Sequence, residues 1–150
     1  LERVLQDDRL RVTVLQAPAG HGKSTTLQQI KAAQEQRGWR TAWLTLDDAD
    51  NDPRRFEAHL VAVTTLLQGG DGPDPQVPGD APRDLADWVL DALAGLDGPS
   101  ALFLDEFQAL TNESILRVFR SVLARLPAQA HVYIGSRALP EIGLATLLVN

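Results

Sequence analysis

The chain has 150 residues, 44% of them hydrophobic and 23% charged, with 14 Lys and Arg against 20 Asp and Glu for a net charge of −6. This is the composition of one globular domain able to bury a core; it excludes a wholly disordered chain, and no apolar run approaches the roughly 18 residues that a membrane-spanning helix needs. The absence of Cys excludes disulfides, zinc–thiolate sites and catalytic thiols and, with no basic leader ahead of an apolar stretch, makes the cytoplasm the expected compartment, while an acidic balance without a Lys/Arg cluster argues against direct nucleic-acid contact.

Residues 11–16 are a short β-branched stretch that predicts a strand, and they run into the turn-forming Ala17-Pro18-Ala19-Gly20-His21-Gly22. Helical spacing follows over residues 23–36, with Leu27, Ile30 and Ala33 predicted on one stripe and a left-handed cap at Gly38. Residues 41–46 predict a second strand. Asp52 then offers an N-cap acceptor and Pro53 a pre-set first helical residue, ahead of Phe56, Leu60, Val63 and Leu67 at helical spacing.

Residues 69–82 hold four Gly, four Pro and three Asp, with Val77 the one sizeable apolar side chain. This stretch predicts an exposed loop within a single domain over residues 1–150 rather than a domain boundary. A third helix is expected from about residue 83 to Gly98-Pro99, with Leu85, Val89, Ala92, Leu93 and Leu96 inward. Residues 101–104 are continuously apolar, as a strand covered on both faces must be, and end at Asp105-Glu106. Asn112 is placed to cap a fourth helix with Ile115, Phe119, Val122 and Leu126 on its core side, stopped by Pro127. Residues 131–136 form the last predicted strand. Such alternation predicts an α/β fold, a parallel sheet with helices on both faces, and functional groups at the carboxyl ends of the strands. The lack of Met and the abrupt start at Leu1-Glu2-Arg3 suggest a piece of a longer protein, whose remaining segments would be its partners.

The segment from Ala17 to Gly22-Lys23-Ser24 matches the phosphate-binding P-loop except for Ala at its first position. Glycines let backbone N–H groups converge on phosphate oxygens, and the following helix adds unpaired N–H groups and a positive dipole end. Ala19, Gly20, His21, Gly22, Lys23, Ser24 and Thr25 are therefore the candidate nucleotide-binding residues, with the His21 imidazole read as incidental. Lys23 is one of two Lys among the 14 basic residues, so a compact ammonium is kept here where the chain otherwise uses Arg.

Asp105 ends an apolar strand, which is the Walker B arrangement: Asp105 and the Ser24 hydroxyl are the candidate Mg²⁺ ligands, and Glu106 the candidate base for an attacking water. Arg137 ends the last strand on the same edge and is a candidate to reach a terminal phosphate. Lys23, Glu106 and Arg137 are thus the candidate catalytic set. His59, His131, Trp39, Trp43 and Trp88 read as structural, and Arg54, Arg55, Arg117, Arg120 and Arg125 as solvated helix faces.

With these residues placed, the chain resembles the ATPase domain of STAND-class P-loop NTPases, specifically of MalT-like regulators in the LuxR family. The resemblance rests on residues 15–25, on Ala42-Trp43-Leu44-Thr45-Leu46-Asp47 with Asp50-Asn51-Asp52-Pro53-Arg54-Arg55-Phe56, on Leu102-Phe103-Leu104-Asp105-Glu106-Phe107 and on Ile134-Gly135-Ser136-Arg137-Ala138-Leu139-Pro140. It implies a three-layer additional-strand fold, in which the strand ending at Ser136 lies between the P-loop strand and the Asp105 strand. It also implies ATP or ADP with Mg²⁺, a slow ATPase cycle, and self-association in the ATP state of a signal-responsive transcription regulator. Inducer recognition and DNA binding belong, in that family, to other regions. Two other readings compete: a nucleotide-binding scaffold that does not turn over, and a small-molecule kinase, which Asp105-Glu106 suits less well than water attack.

Overall fold

The computed structural model describes residues 11–18, 22–69 and 85–137. Its strands are β1 (Val12–Gln16), β2 (Arg40–Thr45), β3 (Ser100–Asp105) and β4 (Ala130–Ser136), and its α-helices are α1 (Lys23–Gln36), α2 (Pro53–Leu67), α3 (Leu85–Ala94) and α4 (Glu113–Ala124). The strands form one sheet in the order β1-β4-β3-β2, and every pairing is parallel. The last strand therefore lies between β1 and β3, as expected of the additional-strand P-loop architecture.

Side-chain alternation along the strands divides the core in two. Val12, Val14, Ala42, Leu102, Leu104, Val132 and Ile134 join the buried side chains of α2, α3 and α4 in one cluster. The opposite face gives a smaller cluster of Leu15, Ala101 and Phe103 with Leu27 of α1, flanked by the half-buried Ile30, Trp39, Trp43 and Tyr133. Helices thus cover both faces, which is the three-layer form. Phe103 lies between Trp43 and Tyr133, stacked at centroid distances of 5.8 and 4.8 Å.

The predicted helix signals act locally. Asp52 accepts from the Arg54 N–H and Asn112 from the Ser114 N–H at 2.9 Å for the latter, and Gly38 (φ 86°) closes the end of α1. Helix α1 departs from expectation on its inner stripe: Ala33 is exposed, whereas Gln34 is buried and donates to the Tyr133 hydroxyl at 2.7 Å. Positions 23, 27, 30 and 34 share a face at 100° per residue, so angle decided the stripe; the hydrogen bond takes up only the Nε2 end of its polar member, whose buried Oε1 meets no partner among the described residues. Helix α3 ends at Ala94, before Leu96 and Gly98-Pro99, and α4 ends at Ala124, so Leu126 is buried just beyond the helix.

The predicted loop, beyond its first residue Gly69, lies outside the described residues, as do the start of the third helix near residue 83, the P-loop residues Ala19, Gly20 and His21, and Ala138-Leu139-Pro140. Among the described residues, no helix is long and apolar enough to cross a membrane.

Candidate functional site at the carboxyl edge of the sheet

The carboxyl ends of β1, β3 and β4 meet the N-terminus of α1. Gly22 is the N-cap of α1, at φ 74° and ψ 15°, and no side chain caps this end of the helix. A left-handed N-cap is open to Gly without strain, and it leaves the first turn of α1 facing the cleft with its positive dipole end. The start of the predicted phosphate loop is tied to the sheet by the Ala17 N–H, which donates to the Ser136 carbonyl at 3.1 Å.

Lys23 and Ser24, the first two residues of α1, both reach Asp105. Lys23 Nζ lies 2.6 Å from Asp105 Oδ1 and 3.3 Å from Glu106 Oε1, and Ser24 Oγ donates to Asp105 Oδ2 at 2.5 Å. The side chains of Lys23 and Asp105 are each 5% exposed, so the pair is buried; that of Glu106 is 29% exposed. Arg137 lies at the rim, 53% exposed, with Nε 3.5 Å from Glu106 Oε2. Pro18, Gly22, Lys23, Ser24, Thr25, Glu106 and Arg137 line a cleft of about 190 Å³. All the described members of the predicted set therefore line one cleft, apart from Asp105, which reaches it only through its bonds to Lys23 and Ser24.

Both carboxyls are held in the ionised form. Burial pushes Asp105 up, the largest single effect, but hydrogen bonds from Lys23, Ser24 and the Glu106 N–H, with the Lys23 charge, bring it below the usual carboxylate range. For Glu106 the leading influence is the hydrogen bond from Gln108, which lowers it against a smaller effect of burial; the charges of Lys23 and Arg137 act in the same direction as Gln108. Two ionised carboxyls beside a Lys and a hydroxyl make a set of hard oxygen donors with a fixed countercharge, which fits Mg²⁺ and phosphate chemistry.

Glu106 itself sits at φ 57° and ψ 40°, the only non-glycine residue with positive φ among those described. A left-handed Glu costs about 1–3 kcal/mol and persists only where its surroundings over-determine it. A short 3-10 turn, Phe107–Ala109, follows directly. Phe107 anchors that turn in the larger core, edge-on to Phe119 at 5.1 Å. From the β2–α2 connection Asn51 reaches across: its Nδ2 donates to the Ala109 carbonyl at 2.9 Å, and its Oδ1 accepts from the N–H groups of Thr111 and Asn112 at 2.8 and 3.0 Å. Nearby, the fully buried Asp50 takes the His59 ring nitrogen at 2.6 Å and the Arg55 Nε at 3.6 Å, so His59 is structural and Arg55 is paired while still half-exposed. Arg120 and Arg125 likewise pair at the surface, with Glu113 and Asp87.

Three contributors to the site were given no role from sequence, although Asn51 and Gly135 lie within the segments that carry the resemblance. Asn51 and Gln108 bond across the fold, which local pattern does not reveal. Gly135 could have been found, because a Gly inside a strand marks a close approach: a Cβ there would stand 2.7 Å from both Asp105 Oδ1 and Leu27 Cδ1.

A three-layer α/β domain with an all-parallel sheet, and β4 inserted between β1 and β3, belongs to the P-loop NTPase type of fold. Among known proteins, the chain is 33% identical over 145 residues to the HTH-type transcriptional regulator MalT of Yersinia enterocolitica. It is 32% identical to the proteins of the same description from Yersinia pestis and Yersinia pseudotuberculosis. Each match takes in 93% of this chain but 16% of the relative, so the chain spans about a sixth of the length of these regulators. No family model matches the chain.

Proposed function

We propose that this domain is the nucleotide-dependent switch of a signal-responsive transcription regulator: it binds ATP with Mg²⁺, hydrolyses it slowly, and favours self-association in the ATP state. The observation that carries the reading is the convergence of Lys23, Ser24 and Asp105 beneath the uncapped N-terminus of α1. Similarity to MalT supports the regulatory setting.

The residues divide the work by chemistry. Gly22, Ser24 and Thr25 present the first turn of α1 to the phosphates, joined by Ala19, Gly20 and His21 of the P-loop. Lys23 would exchange its carboxylate partners for phosphate oxygens, one anionic acceptor for another. Ser24 and Asp105 would hold Mg²⁺, and the ion, when bound, neutralises phosphate charge. Glu106 would accept at Oε1 the proton of a water whose oxygen attacks the terminal phosphorus while the bridging P–O bond breaks and ADP leaves with its electron pair, and Arg137 would steady the charge that develops there. The Asp105-Glu106 pair at the cleft favours water attack over transfer to a metabolite.

The test is the assembly state of the full-length protein, measured by light scattering with MgATP and with MgADP. Glu106→Gln, which keeps the shape and removes the base, should hold the ATP-bound, associated form for longer than the unaltered protein. Equal assembly with both nucleotides, and no prolongation in Glu106→Gln, would leave only a static scaffold.

A further inference from the structure

We infer that Gln108 is a positioning residue for Glu106, an inference that rests on the hydrolytic reading just given. Gln108 lies in the turn after β3, and both ends of its carboxamide are engaged. Its Nε2 donates to Glu106 Oε2, and its Oε1 accepts from the backbone N–H of Arg137 at 3.0 Å. One neutral side chain thus ties the carboxylate that follows β3 to the peptide that ends β4. Gln108 does not line the cleft, so its route to the chemistry runs through Glu106.

The other partners of Glu106 explain why this tie matters. Lys23 at 3.3 Å and Arg137 at 3.5 Å are cations, and both are assigned to phosphate when nucleotide is bound. A cation drawn to phosphate no longer fixes the carboxylate. Gln108 keeps its hold, because it is uncharged and its own anchor is a main-chain N–H rather than a mobile side chain. It occupies Oε2 and leaves Oε1, the oxygen nearer Lys23, to take the proton of a water in the cleft. Without Gln108, Glu106 has free rotation about its side chain just when its orientation sets the rate.

The experiment uses the full-length protein with MgATP, measuring steady-state hydrolysis and, separately, ATP affinity by calorimetry for Gln108→Met, Glu106→Gln and the double variant. Met keeps the volume and removes both hydrogen bonds; Gln108→Ala serves in its place should Met not fold. Gln108→Met is expected to lower kcat about tenfold or more, with ATP affinity within about twofold, because misorientation of a reacting group is felt in the transition state alone. The double variant is expected to be no slower than Glu106→Gln, since a residue that acts through another adds nothing once that other is gone. Unchanged or raised kcat in Gln108→Met, a matching loss of affinity, or multiplied losses in the double variant would each overturn the role of Gln108. If Glu106→Gln itself leaves kcat unchanged, the hydrolytic reading fails, and this inference with it.

Discussion

On one face of the sheet α2, α3 and α4 bury Phe56, Leu60, Val89, Leu93, Phe119 and Val122 against Val14, Leu104 and Ile134. On the other, among the described residues, α1 is the one helix over Leu15, Ala101 and Phe103, with one fully buried leucine, Leu27, and the buried Gln34 and Lys23 on its inner stripe. The first face is apolar and thick; the second is thin and ends in a buried ion pair. Such a division separates stability from chemistry. Burial of carbon holds the sheet together from one side, so the other can carry charged groups at its carboxyl edge that a packed core would exclude. Where the two meet, Phe107 anchors the turn beside Glu106 in the thick side.

The contrast is broken most severely from the thick side. Phe119 packs edge-on between Phe56 and Phe107, at 5.3 and 5.1 Å. Phe119→Ala should cost about 3–5 kcal/mol of stability, read as a lowered urea midpoint. A loss below about 1 kcal/mol would mean that this layer is not the core that holds the sheet.

On the thin side the largest effect is electrostatic. Among the described residues, Asp105→Asn leaves Lys23 with the more distant carboxylate of Glu106, and breaking a buried pair in this way costs about 3 kcal/mol near neutral pH. The pH dependence follows in sign. Because the folded pKa of Asp105 lies below its ordinary value, the ion pair stabilises above the unfolded carboxylate pKa of about 4 and is lost as pH falls through the lower folded value. The stability gap between the unaltered protein and Asp105→Asn should therefore narrow below about pH 4 in nucleotide-free melts. A gap that widens with acid would contradict the pairing.

A smaller effect sharpens the comparison where α1 meets the sheet. Gly135→Ala places a methyl 2.7 Å from Leu27 Cδ1, which is fully buried, and from Asp105 Oδ1, which Lys23 and the Glu106 N–H hold. Neither neighbour can move aside freely, so overpacking should cost about 1–3 kcal/mol. The same substitution shifts the Asp105 carboxylate, so the loss of stability should come with weakened nucleotide binding. Stability lost with binding intact would place the strain on Leu27 alone.

Both faces were legible in the sequence, but to different depths. The thick side obeys hydrophobic spacing: Phe56, Leu60, Val63 and Leu67, then Ile115, Phe119 and Val122, are buried as expected. The strand order was not legible in spacing: it came from the resemblance, which placed the strand ending at Ser136 between the first strand and that of Asp105, as found. The thin side obeys angle and hydrogen bonding instead, which is why Gln34 rather than Ala33 lies inward. The residues that converge on the cleft came from motif and edge alone: Lys23, Ser24, Glu106 and Arg137 each sit next to the carboxyl end of a strand or the start of a helix. Asn51 and Gln108 were not legible, since their partners lie 58 and 29 residues away and are chosen by tertiary placement.

The most direct test of the site is calorimetric titration of the full-length protein with MgATP and MgADP, alongside Lys23→Ala. Saturable binding that disappears in a folded Lys23→Ala protein is the predicted result. Equal affinity in the two proteins, or no binding by the folded unaltered protein, would contradict a nucleotide site built on Lys23.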